Sequence, residues 1–350
     1  MSVMLHHLKR MPHYANIIAS ALRFRFHLRQ YRGNPLILVD RFGGMGDVIS
    51  CFPLLGAIRA KYPKAYIVFR TTSALIELPS LSGYVDEVVE DERCDEVPRS
   101  IRVRDIDLNS FDFHFAPQHT TDPGVTQKDR LSHIVDAFCN QYDLVPASRQ
   151  PHIALPETYR VRLSNEIHAV RTGSGPIIFI HCGPSWPVKE WAPSAWAELT
   201  RRFHSELDAT VIQVGADWHY DARYDAVPRI PGAIHWIGSL TVTETAAAVA
   251  GADLLVGIDS GLLHIAGAVG TPSIGLFGPT SPHFHLPLET ESVAVHSNVS
   301  CLGCHHLPKP LHWKTSCPQE IACMRELQVE WALDASRSML QKHQKMREEF

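Results

Sequence analysis

The sequence predicts an α/β protein built from two doubly wound domains that face each other across a cleft. Short apolar strands alternate with helical segments along most of its 350 residues, which is typical of parallel sheets with right-handed crossovers. The alternation starts again midway, and the length suffices for two domains of roughly 100–200 residues each. Because open α/β sheets bind ligands where their strands end, functional residues are expected in the loops that face the cleft.

The elements of the first half follow from apolar runs and the breaks between them. Residues 36–39 form an apolar strand, and a glycine-rich turn at residues 41–47 leads into a helix predicted over residues 48–61. Three further strands are predicted at residues 65–70, 86–90 and 111–117. We expect residues 34–165 to form a Rossmann-like domain.

The second half repeats this pattern. The predicted strands lie at residues 177–180, 211–214, 254–256 and 273–277, and the predicted helices at residues 194–203, 243–250 and 262–269. We expect residues 166–326 to form a second Rossmann-like domain, and residues 327–350 to form a polar C-terminal helix.

Composition narrows the class of protein. Lys and Arg total 33 against 37 Asp and Glu, a formal charge of −4, and 45% of the residues are hydrophobic. These values are typical of a globular protein and not of a nucleic-acid binder, which usually carries a strongly basic face. No apolar run approaches the ~20 residues of a membrane span, and the first residues lack the apolar core of a secretory signal. The sequence therefore predicts a cytoplasmic protein.

Residues 1–33 form a basic extension. Their apolar residues recur at helical spacing, and six Lys and Arg residues precede the first acidic residue, Asp40. A basic amphipathic helix can lie on the inner face of the cytoplasmic membrane, whereas an apolar stripe can equally pack on the protein's own core or on a second subunit. A peripheral membrane contact and an oligomer contact both stay open.

The turn after the first strand contains Gly43, Gly44 and Gly46, followed by Asp47. Glycines allow a tight strand-to-helix turn with free backbone N–H groups, which suits an acceptor or phosphate loop. An aspartate at the start of the helix either caps it or points into the cleft, where it could take a proton from a hydroxyl as a general base.

Two loops of the second half carry candidate phosphate ligands. Lys189 follows a strand, where a lysine is well placed to neutralise phosphate, although most lysines are simply solvated. Asp259, Ser260 and Gly261 follow another strand and open a helix. The hydroxyl and the N–H at such a helix start are candidates to bind a diphosphate. The alternative for Asp259 is a structural cap.

Three further residues complete this candidate site. His264 lies one turn into the same helix, where it either faces the ligand or is an ordinary buried histidine. Gly278 and Thr280 stand in a turn after the next strand, which we expect to form the adjoining rim.

Four of the eight cysteines form a cluster with the spacing C-x2-C-x12-C-x5-C: Cys301, Cys304, Cys317 and Cys323. Four thiolates in a tetrahedral array suit zinc or iron, and such a metal would have a structural role. The alternative is four reduced cysteines in a loop, because the second pair lacks the CxxC spacing, and nearby histidines could replace a ligand.

The ordered set of motifs R-F-G-G-M-G-D, G-P-S-W-P-V-K-E-W, D-S-G-L-L-H and L-F-G-P-T-S-P resembles glycosyltransferase family 9, the bacterial ADP-heptose heptosyltransferases. The resemblance covers about residues 35–330. It implies a GT-B fold in which residues 34–165 form the acceptor domain and the donor is held mainly by the second domain. It also implies inverting transfer that needs no metal or other cofactor for catalysis.

The resemblance implies roles for individual residues. Asp47 matches the general base, Lys189 the lysine at the donor phosphate, and Asp259 the acidic residue at the sugar. Ser260 and Gly261 correspond to the diphosphate contacts.

His264 matches the histidine of the same motif. The family usually carries a glutamate at the nucleotide ribose, where this chain has Asp217 as a possible substitute. Related cysteines occur in many family members, and heptosyltransferases that modify autotransporter proteins have an iron-bearing finger here.

Three functions stay open at this point. The first is transfer of heptose from ADP-heptose to a lipopolysaccharide core or related glycan. The second is transfer to a protein hydroxyl, as in a protein O-heptosyltransferase that acts on an autotransporter-like protein. The third is a nucleotide-sugar-binding scaffold without turnover, which the departure at Asp217 favours and the joint presence of Asp47, Lys189 and Asp259 disfavours.

Overall fold

The computed structural model describes residues 33–90, 111–118, 125, 131–217, 226–306 and 317–348. The amphipathic stripe expected in the N-terminal extension lies outside these residues. Among the helices within them, none is both long and apolar enough to cross a membrane.

The first sheet has four parallel strands in the order β3-β2-β1-β4. They are β1 (Leu36–Asp40), β2 (Tyr66–Thr71), β3 (Glu87–Glu90) and β4 (Phe113–Phe115). The order reverses between β1 and β4, so the loops after these two strands diverge at the carboxyl edge and leave room for a ligand.

The first half of the chain also contains four helices: α1 (Met45–Ser50), α2 (Phe52–Lys61), α3 (Ile134–Asn140) and α4 (Glu157–Ala169). The single helix predicted over residues 48–61 is therefore two helices. The break lies at Cys51, just before Pro53, whose ring lacks an N–H and crowds the carbonyl four residues earlier.

The second sheet has six parallel strands in the order β10-β9-β8-β5-β6-β7. The strands are β5 (Ile177–His181), β6 (Thr210–Gln213), β7 (Ile234–His235), β8 (Leu254–Ile258), β9 (Ser273–Phe277) and β10 (Ser292–His296). In chain order this is the dinucleotide-fold arrangement 3-2-1-4-5-6, which reverses between β5 and β8. The loops after β5 and β8 therefore flank the expected binding crevice.

The remaining helices are α5 (Pro193–Leu207), α6 (Val242–Ala250), α7 (Gly261–Val269), α8 (Pro282–His285), α9 (Ala322–Arg325) and α10 (Val329–Glu348). The two-sheet α/β architecture predicted from the sequence is confirmed.

One apolar core joins the two sheets. Buried residues of β1 and α1 belong to the same hydrophobic cluster as residues of β5, α6 and α7. Within this core α1 packs against α7, and α4 packs against α6. The N-terminal ends of α1 and α7 consequently meet between the sheets, where the candidate site lies. The predicted domain boundary between residues 165 and 166 falls inside α4 and stays a prediction.

Candidate functional site

The loop after β1 fixes the carboxylate of Asp47. Its Oδ2 accepts a hydrogen bond from the Gly44 N–H at 2.8 Å, and its Oδ1 accepts one from Arg41 Nη2 at 2.7 Å. Arg41 Nη1 donates to the carbonyl of Pro117, just after β4, at 2.9 Å. The side chain of Asp47 is nevertheless 21% exposed. It therefore caps its helix and is also accessible at the point where the order of the sheet reverses.

Two of the three glycines in this turn are required by close contacts. A Cβ at Gly43 would lie 2.7 Å from Asp47 Oδ2, and a Cβ at Gly46 would lie 2.7 Å from His264 Cδ2. At Gly44 the nearest atom is Asp47 Oδ2 at 3.4 Å, an ordinary contact. Gly43 thus makes room for the carboxylate, and Gly46 makes room for a histidine from the other half of the protein.

The loops after β5, β8 and β9 meet at Asp259. Its Oδ2 accepts hydrogen bonds from Lys189 Nζ at 2.8 Å and from Thr280 Oγ1 at 2.5 Å. Lys189 Nζ also lies 3.3 Å from the Asp259 carbonyl and 4.2 Å from the centre of the Trp186 ring. An ammonium held by a carboxylate and an aromatic face is fixed in position, unlike a solvated surface lysine.

Asp259 is ionised in this arrangement although it is only 3% exposed. Burial alone would raise the pKa of its carboxyl group. The charges of Lys189 and His285, with the hydrogen bonds from Lys189 and Thr280, outweigh burial and hold that pKa well below its usual range. The buried carboxylate therefore serves as a permanent anchor for the Lys189 ammonium.

His264 lies between the two carboxylates. Burial lowers the pKa of its imidazole, while the negative charges of Asp259 and Asp47 oppose that shift. His264 is therefore neutral near pH 7. The His264 ring lies against Gly46, next to Asp47, and within 4.8 Å of the Asp259 carboxylate, so the Asp47 side and the Lys189 side form a single site.

One nitrogen each from His264 and His285 and one oxygen from Asp259 lie within 4.8 Å of one another. Two imidazoles and a carboxylate are a possible ligand set for a divalent cation. The Lys189 ammonium already supplies a positive charge at this carboxylate, however, and a second cation would repel it.

The start of α7 is the place expected to bind diphosphate. Ser260 is its N-cap residue, and within the described part of the chain the buried Ser260 Oγ has no hydrogen-bond partner. A Cβ at Gly261 would lie 2.6 Å from Met45 Cβ of α1, so only glycine lets these helix ends approach so closely. A free hydroxyl at a helix N-terminus is suited to a phosphate oxygen.

Two other predicted donor residues lie apart from this group. Asp217 is exposed after β6, on the other side of β5 from Asp259, and a Cβ at Gly238 would lie 2.8 Å from its Cβ. Gly278 lies in the turn that leads to Thr280, beneath Cys323 and Met324. The structure thus brings together Lys189, Asp259 and Thr280, and places Asp217 two strands away from Asp259 along the same carboxyl edge of the sheet.

The four clustered cysteines carry free thiols. Burial and the neighbouring Cys301, Cys304 and Cys317 raise the pKa of Cys323 to about 12, and burial with Cys301 and Cys317 raises that of Cys304. Cys323 Sγ lies against Gly278, and the Gly278 carbonyl accepts a hydrogen bond from the Gly303 N–H, so both arms of the cluster lie at the same loop. The tight group of ligand atoms among the described residues is nevertheless that of Asp259, not a tetrahedral set of four sulfurs.

The sequence analysis did not assign roles to three residues of this site. Arg41 opens the glycine-rich motif, Trp186 stands three residues before Lys189, and His285 ends α8. Arg41 and Trp186 lie inside the motifs of Asp47 and Lys189, so their closeness in sequence to these residues could have indicated a role in the site. His285 comes from a different element, and no local pattern predicts its place beside Asp259.

Comparison with known proteins adds the family. A family model described as glycosyltransferase family 9 (heptosyltransferase) matches residues 122–314, which is more than half of the chain. The lipopolysaccharide heptosyltransferase 1 of Pseudomonas aeruginosa is 29% identical over 135 residues, 38% of this chain. This alignment spans 37% of the length of that relative.

Two solved structures share the fold. Escherichia coli ADP-heptose LPS heptosyltransferase II has a TM-score of 0.66 at 17% identity, covering 89% of this chain and 99% of its own. The dodecameric iron-containing heptosyltransferase TibC, in complex with ADP-D-β-D-heptose, has a TM-score of 0.64 at 15% identity, covering 89% of this chain and 77% of its own. At such identities the likeness concerns the GT-B architecture alone.

The family match covers the loops with Lys189, Asp259 and Thr280, and the two parallel sheets have the architecture of known heptosyltransferases. This chain belongs to glycosyltransferase family 9, the heptosyltransferase family.

Proposed function

We propose that this protein is an inverting glycosyltransferase that transfers heptose from ADP-heptose to a hydroxyl of a lipopolysaccharide core or related glycan. One observation carries the proposal: where α1 meets α7, the buried His264 ring lies against Gly46, the residue before Asp47, and within 4.8 Å of the Asp259 carboxylate that holds Lys189. A carboxylate for an acceptor proton and a cation for a leaving diphosphate then belong to one site. The names of the relatives supply the heptose and the lipopolysaccharide.

The donor diphosphate binds in this proposal between Lys189 and the start of α7. Lys189 Nζ is oriented by Asp259 at 2.8 Å, and Ser260 Oγ and the Gly261 N–H at the start of α7 would donate to the phosphate oxygens. The sugar lies beside Asp259 and His264. Asp217, at the neighbouring loop after β6, is the candidate for the ribose, with Gly278 and Thr280 on the opposite rim.

Transfer then proceeds in one displacement. The acceptor hydroxyl gives its proton to Asp47, and its oxygen forms a bond to the anomeric carbon. The bond from that carbon to the diphosphate oxygen breaks, and its electron pair leaves with ADP. Attack from the face opposite the leaving group inverts the anomeric centre. Arg41 and the Gly44 N–H hold the carboxylate in one orientation, which matters because general bases act only within hydrogen-bond reach.

The charge that develops on the departing ADP is stabilised by groups of this chain. Lys189 supplies a full positive charge, and the N-terminus of α7 adds the partial charge of its backbone N–H groups. We infer that catalysis needs no metal cofactor, because the Lys189 ammonium, held by Asp259, supplies a positive charge for the leaving diphosphate.

A structural metal at the cysteines is a separate part of the proposal. The four free thiols offer soft ligands suited to zinc or iron, and both arms of the cluster lie at the Gly278 loop. Cys301, Cys304, Cys317 and Cys323 would hold the ion, which would crosslink the segment. TibC, which shares the fold, is an iron-containing heptosyltransferase, and this favours iron over zinc in the proposal.

A protein hydroxyl is the second candidate acceptor. The cysteine cluster motivates it, because the family resemblance of the sequence links such a cluster to heptosyltransferases that modify autotransporter proteins. Co-expression with an autotransporter-like protein followed by mass analysis distinguishes the two acceptors: added heptose mass on the protein supports the second, and its absence with transfer to core glycan supports the first.

The donor assignment is tested by calorimetric titration with ADP, UDP, GDP and ADP-heptose. We expect ADP and ADP-heptose to bind, and the Lys189→Ala variant to bind them about 10–100-fold more weakly, since a charged hydrogen bond contributes about 1.5–3 kcal/mol. Lys342→Ala, which removes an exposed lysine paired with Glu291, is the matched control and should bind normally.

Other outcomes contradict parts of the proposal. A preference for UDP or GDP would contradict ADP-heptose as the donor, but it would be consistent with the fold. Normal transfer by the Asp47→Ala variant would contradict the assignment of Asp47 as the general base. Nucleotide binding without any turnover would favour a nucleotide-sugar-binding scaffold.

A further inference from the structure

The cysteines lie against the loop that carries Thr280. We call residues 301–306 together with residues 317–324 the cysteine segment. Its Gly303 N–H donates a hydrogen bond to the Gly278 carbonyl at 2.9 Å, and its His305 N–H donates to the Pro279 carbonyl at 2.8 Å. Two consecutive carbonyls that lead directly to Thr280 are thus held by backbone bonds from the cysteine segment.

The other arm of the cysteine segment packs on the same loop. A Cβ at Gly278 would lie 2.5 Å from Met324 Sδ and 3.0 Å from Cys323 Sγ. The Cys323 carbonyl in turn accepts a hydrogen bond from Ser297 Oγ at 2.8 Å, just after β10. The loop is therefore covered on one side by residues 303–305 and on the other by Cys323 and Met324.

The cysteine segment also contacts Trp186, which packs against Lys189, the second hydrogen-bond donor to Asp259. The His305 ring meets the Trp186 ring edge to face, with centroids 5.3 Å apart, and Trp186 in turn lies 4.2 Å from Lys189 Nζ. His305 is 2% exposed, so this ring is fixed by packing. Thr280 and Lys189, which both donate to Asp259, are supported by the same short stretch of chain.

A third contact leads to His285. The ring of His306 lies 5.1 Å from that of His305 and 5.1 Å from that of His285, which belongs to the group around Asp259. Three elements that surround the buried carboxylate thus contact the cysteine segment.

From these contacts we propose that the cysteine segment is a positioning element of the donor site, with His305 as its central positioning residue. It sets the distance of Thr280 and Lys189 from Asp259, and through Lys189 the affinity for the donor diphosphate. This inference rests on the proposed function, because it takes ADP as the ligand. The support of the loop by the cysteine segment rests on the geometry alone.

The physical reason is the cost of disorder in a binding loop. Thr280 follows a strand on a turn, and a turn without support would have to be ordered when the ligand binds. Displacement of a positioning contact by about 1 Å can cost about 10²-fold in rate. Loss of the His305 ring should therefore weaken the donor site without removing any group that touches the donor.

The test compares four variants of the full-length protein with wild type. His305→Ala removes the ring, His305→Phe restores an aromatic edge against Trp186, and Cys304→Ser alters a thiol of the segment. Cys139→Ala, a buried thiol of α3 outside the segment, is the control. Hydrogen exchange of peptides that span residues 273–285 reports the order of the loop, and calorimetry reports ADP affinity.

We expect His305→Ala and Cys304→Ser to speed exchange at residues 278–281 and to weaken ADP binding about tenfold. His305→Phe should restore both to within about twofold of wild type. The control should change neither. Unaltered exchange and affinity in His305→Ala would overturn the inference. So would failure of His305→Phe to restore them, which would indicate a general loss of stability.

The two proposals can fail separately. If wild-type protein does not bind ADP, the proposed function fails, and the exchange comparison still decides whether the cysteine segment supports the loop. If ADP binds normally to all variants while exchange is unchanged, the proposed function survives and the inference does not.

Discussion

At the scale of single residues, the chemistry depends on how each carboxylate is held. Asp47 is oriented by Arg41 and the Gly44 N–H and is partly exposed, which suits a group that accepts a proton. Asp259 is buried and bound to Lys189 and Thr280, which suits a fixed charge. Two aspartates at equivalent places, each after a parallel strand, therefore have different tasks because their neighbours differ.

Replacing Asp47 tests its role directly. Asp47→Asn retains an oxygen for the Gly44 N–H but cannot take a proton, so we expect kcat to fall about 10²–10⁴-fold with little change in ADP affinity. The measurements are heptose transfer by mass spectrometry and ADP binding by calorimetry. Asp136→Asn is a matched control, since Asp136 also lies in the first helical turn and pairs with an arginine, Arg149. Transfer above half the wild-type rate in Asp47→Asn would contradict the role of Asp47 as the general base.

Two buried histidines make stability depend on pH. Burial lowers the pKa of His181 and of His133 from 6.5 to about 4 each. Between pH 6.5 and 4 the unfolded chain therefore binds more protons than the folded one, and stability falls as the pH falls. Each histidine contributes on the order of 3 kcal/mol across this window.

This pH dependence can be measured by chemical denaturation between pH 7.5 and 4.5. His133→Asn removes one of the two titrating groups and keeps a side chain able to cap α3, a role now filled by His133 Nδ1. We expect the slope of the free energy of unfolding against pH to drop by about one proton in this variant. An unchanged slope would show that His133 does not titrate as inferred.

At the scale of elements, the contact between α1 and α7 brings the two halves of the site together. Gly46 faces His264, and Gly261 faces Met45, each at a distance that leaves no room for a Cβ. These helices can meet at their N-termini only because small residues stand there.

Two alanine substitutions in one turn test this contact. Gly46→Ala places a methyl group against His264 and should lower the free energy of unfolding by about 1–3 kcal/mol, with a loss of transfer activity. Gly44→Ala meets its nearest atom at 3.4 Å with a φ of −69°, so we expect a smaller effect. Denaturation curves and transfer rates of both variants are the measurements. Equal tolerance of the two substitutions would argue against a tight contact.

The cysteine segment offers a second test at this scale. We expect purified protein to contain close to one zinc or iron ion per chain by elemental analysis. Cys304→Ser should lower that content and Cys139→Ala should not, because Cys139 lies in α3. Strong chelators should release the metal and make all four thiols reactive. Metal-free protein with wild-type stability would contradict the metal part of the proposal.

At the scale of the whole molecule, the shared core predicts how the chain unfolds. Buried residues from both sheets share one hydrophobic cluster, while the second sheet also has a cluster of its own on its other face. We expect one cooperative transition, with calorimetric and van't Hoff enthalpies in agreement. Ile167→Ala in α4, which packs against α6, should lower the single midpoint by an amount equivalent to about 2–5 kcal/mol. Two separate transitions would contradict this coupling.

The sequence by itself determined the fold class and the positions of most strands. Local information was sufficient because apolar runs such as residues 177–180 and 273–277 must be buried, and the breaks between them mark the turns. It also determined which residues belong to the motifs, including Asp47, Lys189 and Asp259. Local information was insufficient at Cys51, where the predicted helix breaks, and for β7 and β10, whose short or half-exposed strands carry weak patterns.

Only the tertiary structure decided which of these residues work together. Lys189 and Asp259 are 70 residues apart, and Thr280 is a further 21 away, yet they share hydrogen bonds because three parallel strands end at one edge. His285, the neighbour of Asp259, and the support of the Thr280 loop by the cysteine segment have no signature in the sequence. Such contacts arise when separate elements pack, so their distances depend on the whole fold and not on any local pattern.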